Sequence, residues 1–228
     1  MDLESLVSPV TNMGFACHGS LLVTVTLTGC LRVLDKCSGY TVSKTLQTMS
    51  PAVVSVSTEN SLVAICDDGG KIQIWDIVTG ALVYETDIVM FGVVTDLFDI
   101  AISPNGQNVV VMLPNLHPSR FKRGNFLWLY HLPSDKTYFT GVFRPWDYLD
   151  KLFCDNRHVR VPTTGAMGTY MLPDGENYES YMICTRSPFS VTQDDVLVAF
   201  ISLKDDKLRI MRYTRARNRF EGAITFAF

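Results

Sequence analysis

The side chains that could do chemistry in this sequence are four histidines, three acidic pairs and two basic clusters. The histidines lack the i, i+4 spacing of metal ligands on a helix, and no cysteine pair lies beside them. The sequence also contains no G-x-S-x-G nucleophile turn and no glycine-rich phosphate loop. It predicts no catalytic residue, no cofactor and no metal, and we expect turn or surface positions for the histidines: His18, His117, His131 and His158.

The acidic pairs lie where turns between strands are expected. An aspartate in a turn accepts hydrogen bonds from neighbouring backbone N–H groups, which stabilises the turn. We therefore expect turn formation from three pairs: Asp67-Asp68, Asp194-Asp195 and Asp205-Asp206.

Two basic clusters could attract an anionic partner. One contains Arg120, Phe121, Lys122 and Arg123, and the other contains Arg209, Arg212, Arg215, Arg217 and Arg219. The formal net charge of the whole chain is -3, so no overall basic field draws in nucleic acid or anionic lipid. An aromatic group at residues 143–148, which includes Trp146, could anchor a partner or pack as a connector.

The spacing of the cysteines and the hydropathy of the chain indicate the cellular compartment of the protein. No C-x-x-C pair occurs among the six cysteines: Cys17, Cys30, Cys37, Cys66, Cys154 and Cys184. They predict reduced core thiols in an intracellular protein. The N-terminus lacks the order of a signal peptide, and no apolar stretch reaches the roughly 18 residues of a membrane span. We expect a soluble protein of the cytoplasm or the nucleus.

The elements that position the candidate side chains are predicted to be short β-strands. The sequence is 47% hydrophobic, enough for a sizeable core. Its apolar runs alternate with period 2, are rich in β-branched and aromatic residues, and end at Gly, Asn, Asp or Pro. No stretch shows a convincing helical period, so the predicted class is all-β.

One unit of turn and strand recurs along the chain. A glycine, a spacer residue and an alternating strand begin at Gly29, Gly70, Gly124 and Gly168, and Asp206 opens a fifth copy. Successive copies lie 41, 54, 44 and 38 residues apart. They predict strands at residues 31–35, 72–76, 126–130, 169–173 and 208–212.

Each repeat contains four predicted strands, of which the recurring strand is the third. A hairpin precedes it, clearest around Pro104-Asn105-Gly106, and a further turn and strand follow it. Four strands in about 40 to 45 residues are typical of a β-propeller blade. We predict one propeller or propeller segment over residues 1–228, with five blades at about 12–47, 50–87, 95–143, 147–184 and 187–226.

The second copy resembles a WD40 repeat. Residues 68–80 carry the Trp75-Asp76 pair that names the family, and Ser103-Pro104-Asn105-Gly106 resembles the first turn of the next repeat. The other copies replace the Trp, and none has the family's usual Gly-His dipeptide. The resemblance implies structural roles for four residues, with the indole largely buried between blades: Asp68, Gly70, Trp75 and Asp76.

The resemblance leaves three arrangements open. The chain could be a closed ring of five blades, part of a longer propeller, or an open half completed by another chain. We favour a piece of a larger propeller assembly.

The function that this architecture implies is a non-enzymatic protein-interaction scaffold. Residues 113–123 form an insertion that blade packing does not require, and recognition concentrates in loops on rigid scaffolds. We expect protein partners with acidic patches to contact the insertion, and Trp146, Arg215, Arg217 and Arg219 are further candidates. The two basic clusters belong to loops that open on opposite faces, which disfavours a single nucleic-acid groove. The alternatives are an RNA-binding scaffold and a propeller enzyme or ligand-binding domain with carboxylates in a central pocket.

Overall fold

In the part of the chain that it describes, the computed structural model consists of β-strands joined by turns, with two short 3-10 helices. It describes residues 9–88, 99–114, 125–142, 152–163, 166–173, 177–182, 185–191, 197–202, 208–214 and 219–226. Among the described residues, no helix has the length and apolar character that a membrane crossing requires.

The strands form five antiparallel sheets, each of four strands that are consecutive in the chain. Sheet 1 contains β1 (Val10–Ala16), β2 (Leu21–Thr26), β3 (Cys30–Asp35) and β4 (Thr41–Gln47). Sheet 2 contains β5 (Val53–Val56), β6 (Leu62–Cys66), β7 (Lys71–Asp76) and β8 (Ala81–Asp87). Sheet 3 contains β9 (Asp99–Ile102), β10 (Asn108–Pro114), β11 (Asn125–His131) and β12 (Lys136–Val142).

The last two sheets repeat this order. Sheet 4 contains β13 (Phe153–Cys154), β14 (His158–Thr163), β15 (Ala166–Met171) and β16 (Asn177–Met182). Sheet 5 contains β17 (Thr185–Val191), β18 (Leu197–Ser202), β19 (Leu208–Thr214) and β20 (Arg219–Phe226). The prediction of an all-β chain with five four-stranded units is confirmed.

The predicted third strands coincide with β3, β7, β11 and β19, but the fourth copy differs. Strand β15 begins at Ala166, which pairs with Thr163 across the hairpin. Gly168 therefore lies inside the strand, opposite Val161 and Ser180, and not in the turn before it. A glycine in a strand resembles a turn glycine in sequence, which is why the predicted strand was placed too late.

Antiparallel order gives each sheet two ends. The turns from first to second strand and from third to fourth strand lie at one end, which we call the upper end. The turns from second to third strand lie at the opposite end, the lower end. Loops at the two ends of a sheet therefore face opposite sides of the molecule.

Sheets 1 to 4 pack face to face in chain order. Their first strands, β1, β5, β9 and β13, contact one another in succession, and an apolar cluster fills each of the three interfaces. In β10, Val109 and Val111 face sheet 2, whereas Val110 and Met112 face sheet 4. All four side chains are fully buried, as expected for a sheet that is covered on both faces.

Each sheet thus has two distinct faces. We call the face that packs on the preceding sheet the leading face, and the face that packs on the following sheet the trailing face. The leading face of sheet 2 includes Val54, Val63 and Ile65. Its trailing face consists mainly of Ala64, Cys66, Ile72 and Ile74.

Trp75 is partly buried. It lies on the leading face of sheet 2 against sheet 1, as the resemblance implies. Its indole N–H donates to Oε1 of Gln73 at 3.1 Å, near the outer rim of the sheet. Of the two tryptophans that the structure describes, Trp128 is the more deeply buried: it is 5% exposed, between sheets 2 and 3.

The described cysteines are free thiols, but the expectation that the cysteines lie in the core holds only for Cys66. Cys17, Cys30 and Cys154 are partly buried, and Cys37 is exposed. Cys66 is fully buried on the trailing face of sheet 2. Burial, with a smaller contribution from the charge of Asp67, raises the pKa of its thiol to about 12. Cys66 is therefore an inert core residue.

Candidate functional site

The upper ends of sheets 1 to 4 are joined by a chain of hydrogen bonds between turns. The turn after β1 donates from Cys17 N to Asn60 O at 3.2 Å and from His18 N to Thr58 O at 2.6 Å. The turn after β5 then donates to the turn after β9, from Glu59 N to Pro104 O at 3.0 Å. These bonds fix the turns of neighbouring sheets to one another.

Side chains continue the chain of hydrogen bonds into sheet 4. Asn60 donates from Nδ2 to Asn105 O at 3.0 Å, and Asn105 N donates to Oδ1 of Asn156 at 2.8 Å. Asn156 in turn donates from Nδ2 to Oε2 of Glu59 at 3.1 Å. The upper ends therefore form a rigid polar platform, which we call the upper rim.

Asp76 closes the turn between β7 and β8 at the upper rim. Its Oδ1 accepts from Val78 N at 2.9 Å and from Thr79 N at 3.3 Å. Asp35 occupies the same position in sheet 1, where its Oδ1 accepts from Cys37 N at 2.8 Å. Both aspartates stabilise turns through local backbone bonds.

The pKa of Asp76 reflects this setting. Burial raises the pKa of the carboxyl, but hydrogen bonds from Ser61, Val78 and Thr79 to the charged form outweigh burial. The net result is a pKa below the ordinary value of 3.8. Asp76 is therefore held as a carboxylate and acts as an acceptor in the turn.

His158 departs from the expectation of a surface histidine, because it is 5% exposed at the start of β14. Its Nδ1 lies 3.1 Å from Oδ2 of Asp155. The other carboxylate oxygen accepts the backbone N–H of Arg157 at 2.5 Å and of His158 at 2.7 Å. The pair fixes the turn between β13 and β14.

At the lower end, the link between the second and third strands is much longer in one sheet than in the others. The links from second to third strand contain three, four and two residues in sheets 1, 2 and 4. In sheet 2, Oδ1 of Asp67 accepts from Lys71 N at 2.8 Å, as predicted for an aspartate in a turn, and Asp68 beside it is exposed. In sheet 3, the link contains ten residues, between Pro114 and Asn125, which pair with each other.

This long loop contains the first basic cluster: Arg120, Phe121, Lys122 and Arg123. These four residues lie outside the described residues, as do Trp146, Arg215 and Arg217. Arg219 begins β20. The link between β10 and β11 lies at a lower end, whereas the link between β19 and β20 lies at an upper end. The topology does not bring the two basic clusters together at one end of their sheets.

The cleft between β1 and β5 offers little chemistry. It has a volume of about 130 Å³ and is lined by residues 12–15 together with Val54, Ser55 and Thr58. The lining contains no charged side chain. Across the described part of the chain, no group of His, Cys, Asp and Glu residues is arranged to hold a metal ion.

The sequence did not reveal the upper rim. Asn105, Asn156 and Glu59 are 46 to 97 positions apart, and only the packing of consecutive sheets brings them together. Asparagine in a turn predicts a local role, and nothing in its spacing predicts a bond to another sheet.

Comparisons with known proteins identify the fold. The chain is similar to the β-propeller domain of Cps50 (Swd1) from Myceliophteria thermophila, with a TM-score of 0.65 over 95% of this chain and 74% of that one. The fold is a WD40-like β-propeller. Sequence identity to that domain is 14%, so this likeness concerns the fold alone. No protein-family model matches the chain, and no curated protein matches it. In this propeller, the five sheets are the blades.

Proposed function

We propose that this propeller is a non-enzymatic protein-interaction scaffold within a larger intracellular complex, and that its partners bind the long loop at the lower end of sheet 3. The observation that supports this is the contrast between that ten-residue link and the two to four residues that suffice in sheets 1, 2 and 4. Packing of the sheets does not require a link of ten residues at this position. The additional residues are therefore available for recognition.

The base of the loop is rigid. The β10 residues 109–113 are fully buried, and Leu127 and Leu129 of β11 are buried opposite them. Pro114 ends β10 at the base of the loop, and Pro118 lies within the loop sequence. Because proline limits the conformations open to an unbound chain, ordering the loop on a partner should cost less conformational entropy. A rigid base and a restricted loop together favour specific binding.

Charge indicates the kind of partner. The loop contains three cations, Arg120, Lys122 and Arg123, beside the aromatic Phe121, and it contains no acidic residue. Arginine and aromatic residues are enriched among the residues that dominate binding energy at protein interfaces. We infer that the partner presents an acidic patch with an apolar pocket for Phe121.

The test reverses the charge of the loop. The variant Arg120→Glu, Lys122→Glu and Arg123→Glu should weaken association with the partner by roughly tenfold or more, because three charge-assisted contacts become repulsive. Affinity purification from native cells with quantitative mass spectrometry identifies the partner, and a binding isotherm with that purified partner measures the loss. The melting temperature should stay within about 1 °C of the wild type, because exposed charges contribute little to stability.

A matched control carries the same change in net charge. Lys36, Lys136 and Arg157 are exposed at the upper ends of their sheets, opposite the loop. Replacing all three with Glu should leave the isotherm unchanged. Equal loss of affinity in both triple variants would mean that binding depends on overall charge and not on the loop, and full affinity in the loop variant would refute the proposal.

A further inference from the structure

The turn between β9 and β10 contains the one Asn-Gly pair of the sequence, Asn105-Gly106. In such a pair the backbone nitrogen of the glycine can attack the side-chain amide of the asparagine, because glycine has no side chain to hinder the approach. The reaction converts the amide to a carboxylate, which makes asparagine a chemically labile residue. Asn105 is only half-buried at the upper end of sheet 3, so water can reach its side chain.

Deamidation of this pair needs water as its only other reactant. The Gly106 nitrogen loses its proton to solvent and attacks Cγ of Asn105. The new N–Cγ bond closes a succinimide ring, the Cγ–Nδ2 bond breaks, and Nδ2 takes up a proton from solvent and leaves as ammonia. Water then opens the ring at either carbonyl, which gives aspartate or isoaspartate. In isoaspartate the backbone runs through Cγ, and the former backbone carbonyl becomes part of a free carboxylate.

The turn holds the attacking nitrogen back from this reaction. Gly106 N donates to Ser103 O at 2.8 Å, and this hydrogen bond opposes both the loss of the proton and the approach to Cγ. Gly106 is also buried, and an added Cβ would lie 2.7 Å from Nδ2 of Asn60 and 2.9 Å from Cδ1 of Leu62. The backbone of Gly106 therefore has little room to move.

The amide under attack is held as well. Oδ1 of Asn105 accepts from Ser103 Oγ at 2.8 Å and from Gln107 N at 3.0 Å. Its Nδ2 donates to Oε1 of Gln107 at 3.2 Å. Turning Cγ towards the Gly106 nitrogen would disrupt these three hydrogen bonds.

Neighbouring sheets fix the backbone of the reactive pair. Asn105 N donates to Oδ1 of Asn156 in sheet 4 at 2.8 Å, and Asn105 O accepts from Nδ2 of Asn60 in sheet 2 at 3.0 Å. Both hydrogen bonds belong to the upper rim. The pair can rearrange only when this part of the rim opens locally.

We propose that Asn105-Gly106 is a site of spontaneous deamidation that the upper rim protects, so that the reaction takes place when the contacts of the turn with sheets 2 and 4 open. Isoaspartate at position 105 would remove the backbone carbonyl that accepts from Asn60, so the original rim could not form again. Each reaction would therefore leave a permanent chemical record of rim opening. This site lies at the upper end and does not depend on the function proposed for the long loop.

Peptide mapping by mass spectrometry tests the proposal on the purified full chain, kept at mildly alkaline pH and sampled over time. It measures the rate at which Asn105 becomes aspartate and isoaspartate. The rate should be at least about tenfold lower in buffer than in urea that unfolds the protein, because the folded rim must open before the reaction. Equal rates in buffer and in urea, or no conversion in urea, would overturn the proposal.

Two variants weaken the rim without changing the reactive pair. Asn156→Ala removes the acceptor for Asn105 N, and Asn60→Ala removes the donor to Asn105 O. Each should raise the rate in buffer by roughly two- to tenfold, the effect expected from the loss of one hydrogen bond. In urea both variants should react at the wild-type rate, because the rim is then absent from all three proteins.

Gln47→Ala is the matched control. Gln47 is also an exposed amide bonded to a backbone group, since its Nε2 donates to Thr28 O at 2.7 Å, but it lies at the lower end of sheet 1. Its replacement should leave the rate at Asn105 unchanged. Unchanged rates in both rim variants, or an equal increase in the rim variants and the control, would show that the upper rim does not protect the pair.

Discussion

Gly29 and Gly70 occupy the same place in two successive sheets, just before the third strand. Both are buried with positive φ, +78° and +81°, which is a region that favours glycine. Each carbonyl also accepts a hydrogen bond from the residue after the fourth strand, Thr48 N at 2.9 Å and Ile88 N at 2.8 Å. A side chain at Gly29 would put its Cβ 2.4 Å from the carbonyl oxygens of Thr48 and Met49. The turn before the third strand is therefore also hydrogen-bonded to the residue that follows the fourth strand, at the lower end of the sheet.

Gly29→Ala should destabilise the protein by more than the roughly 1–2 kcal/mol of left-handed strain, because the Cβ would also collide with backbone. Gly39→Ala is the matched control, since Gly39 has φ +72° and nothing within 4 Å of an added Cβ. Urea unfolding of both variants measures the difference. Equal losses of unfolding free energy would show that the close approach of Thr48 and Met49 has no energetic consequence.

The lowered pKa of Asp76 predicts how the free energy of unfolding depends on pH. Its pKa is lowered in the folded state, so the carboxylate contributes stability above the unfolded-state value of 3.8, and that contribution is lost as the pH falls through the folded-state pKa. Asp76→Asn should therefore be less stable than the wild type at neutral pH, and the two free energies of unfolding should converge below pH 3.8. Urea unfolding at a series of pH values measures this.

Ser61 supplies the control for that experiment. Its hydrogen bond helps to lower the pKa of Asp76, so Ser61→Ala should leave a smaller acid-sensitive contribution that is lost closer to pH 3.8. A difference between wild type and Asp76→Asn that stays constant down to the lowest pH would contradict the assignment.

Between elements, the interface of sheets 2 and 3 is held by a stack of aromatic rings. Tyr130 stacks on Tyr84 of sheet 2 with ring centroids 4.1 Å apart, and Trp128 lies 5.9 Å from Tyr130 on the same face. The Tyr130 hydroxyl donates to Oδ1 of Asp135 at 2.8 Å, and burial with this bond raises the pKa of the phenol. The stack combines apolar burial with a satisfied polar group.

The two tryptophans should therefore differ in their contribution to stability. Trp128→Ala removes a buried ring and should cost about 3–5 kcal/mol of unfolding free energy. Trp75→Ala removes a half-buried ring and should cost less, about 1–3 kcal/mol. Denaturant unfolding of the two variants decides the order, and a larger loss for Trp75→Ala would show that exposure does not rank these sites.

Sequence patterns predicted the positions of the strands more accurately than they predicted how deeply individual side chains are buried. Alternation and turn residues located β3, β7, β11 and β19 because period 2 and glycine turns are local properties. Gly168 misled the fourth copy because it lies inside β15. The different depths at which Trp75 and Trp128 are buried depend on where the neighbouring sheet ends, and no local pattern records that.

For the whole molecule, the sequence predicted the blade architecture and the position of the long loop, since both follow from repeat spacing. The upper rim could not be predicted, because Glu59 and Asn156 meet only when sheets 2 and 4 both pack on sheet 3.

The fixed pairing of trailing face with leading face also shapes how the protein is made. Synthesis completes one sheet before the next begins, so the newest sheet exposes its apolar trailing face until its successor emerges from the ribosome. Sheets 1 and 2 are offset by 41 residues, which takes roughly 2–8 s to translate at 5–20 residues per second. The ten-residue loop of sheet 3 delays completion of that sheet further. The exposure of apolar surface on the ribosome is therefore periodic and recurs with each blade.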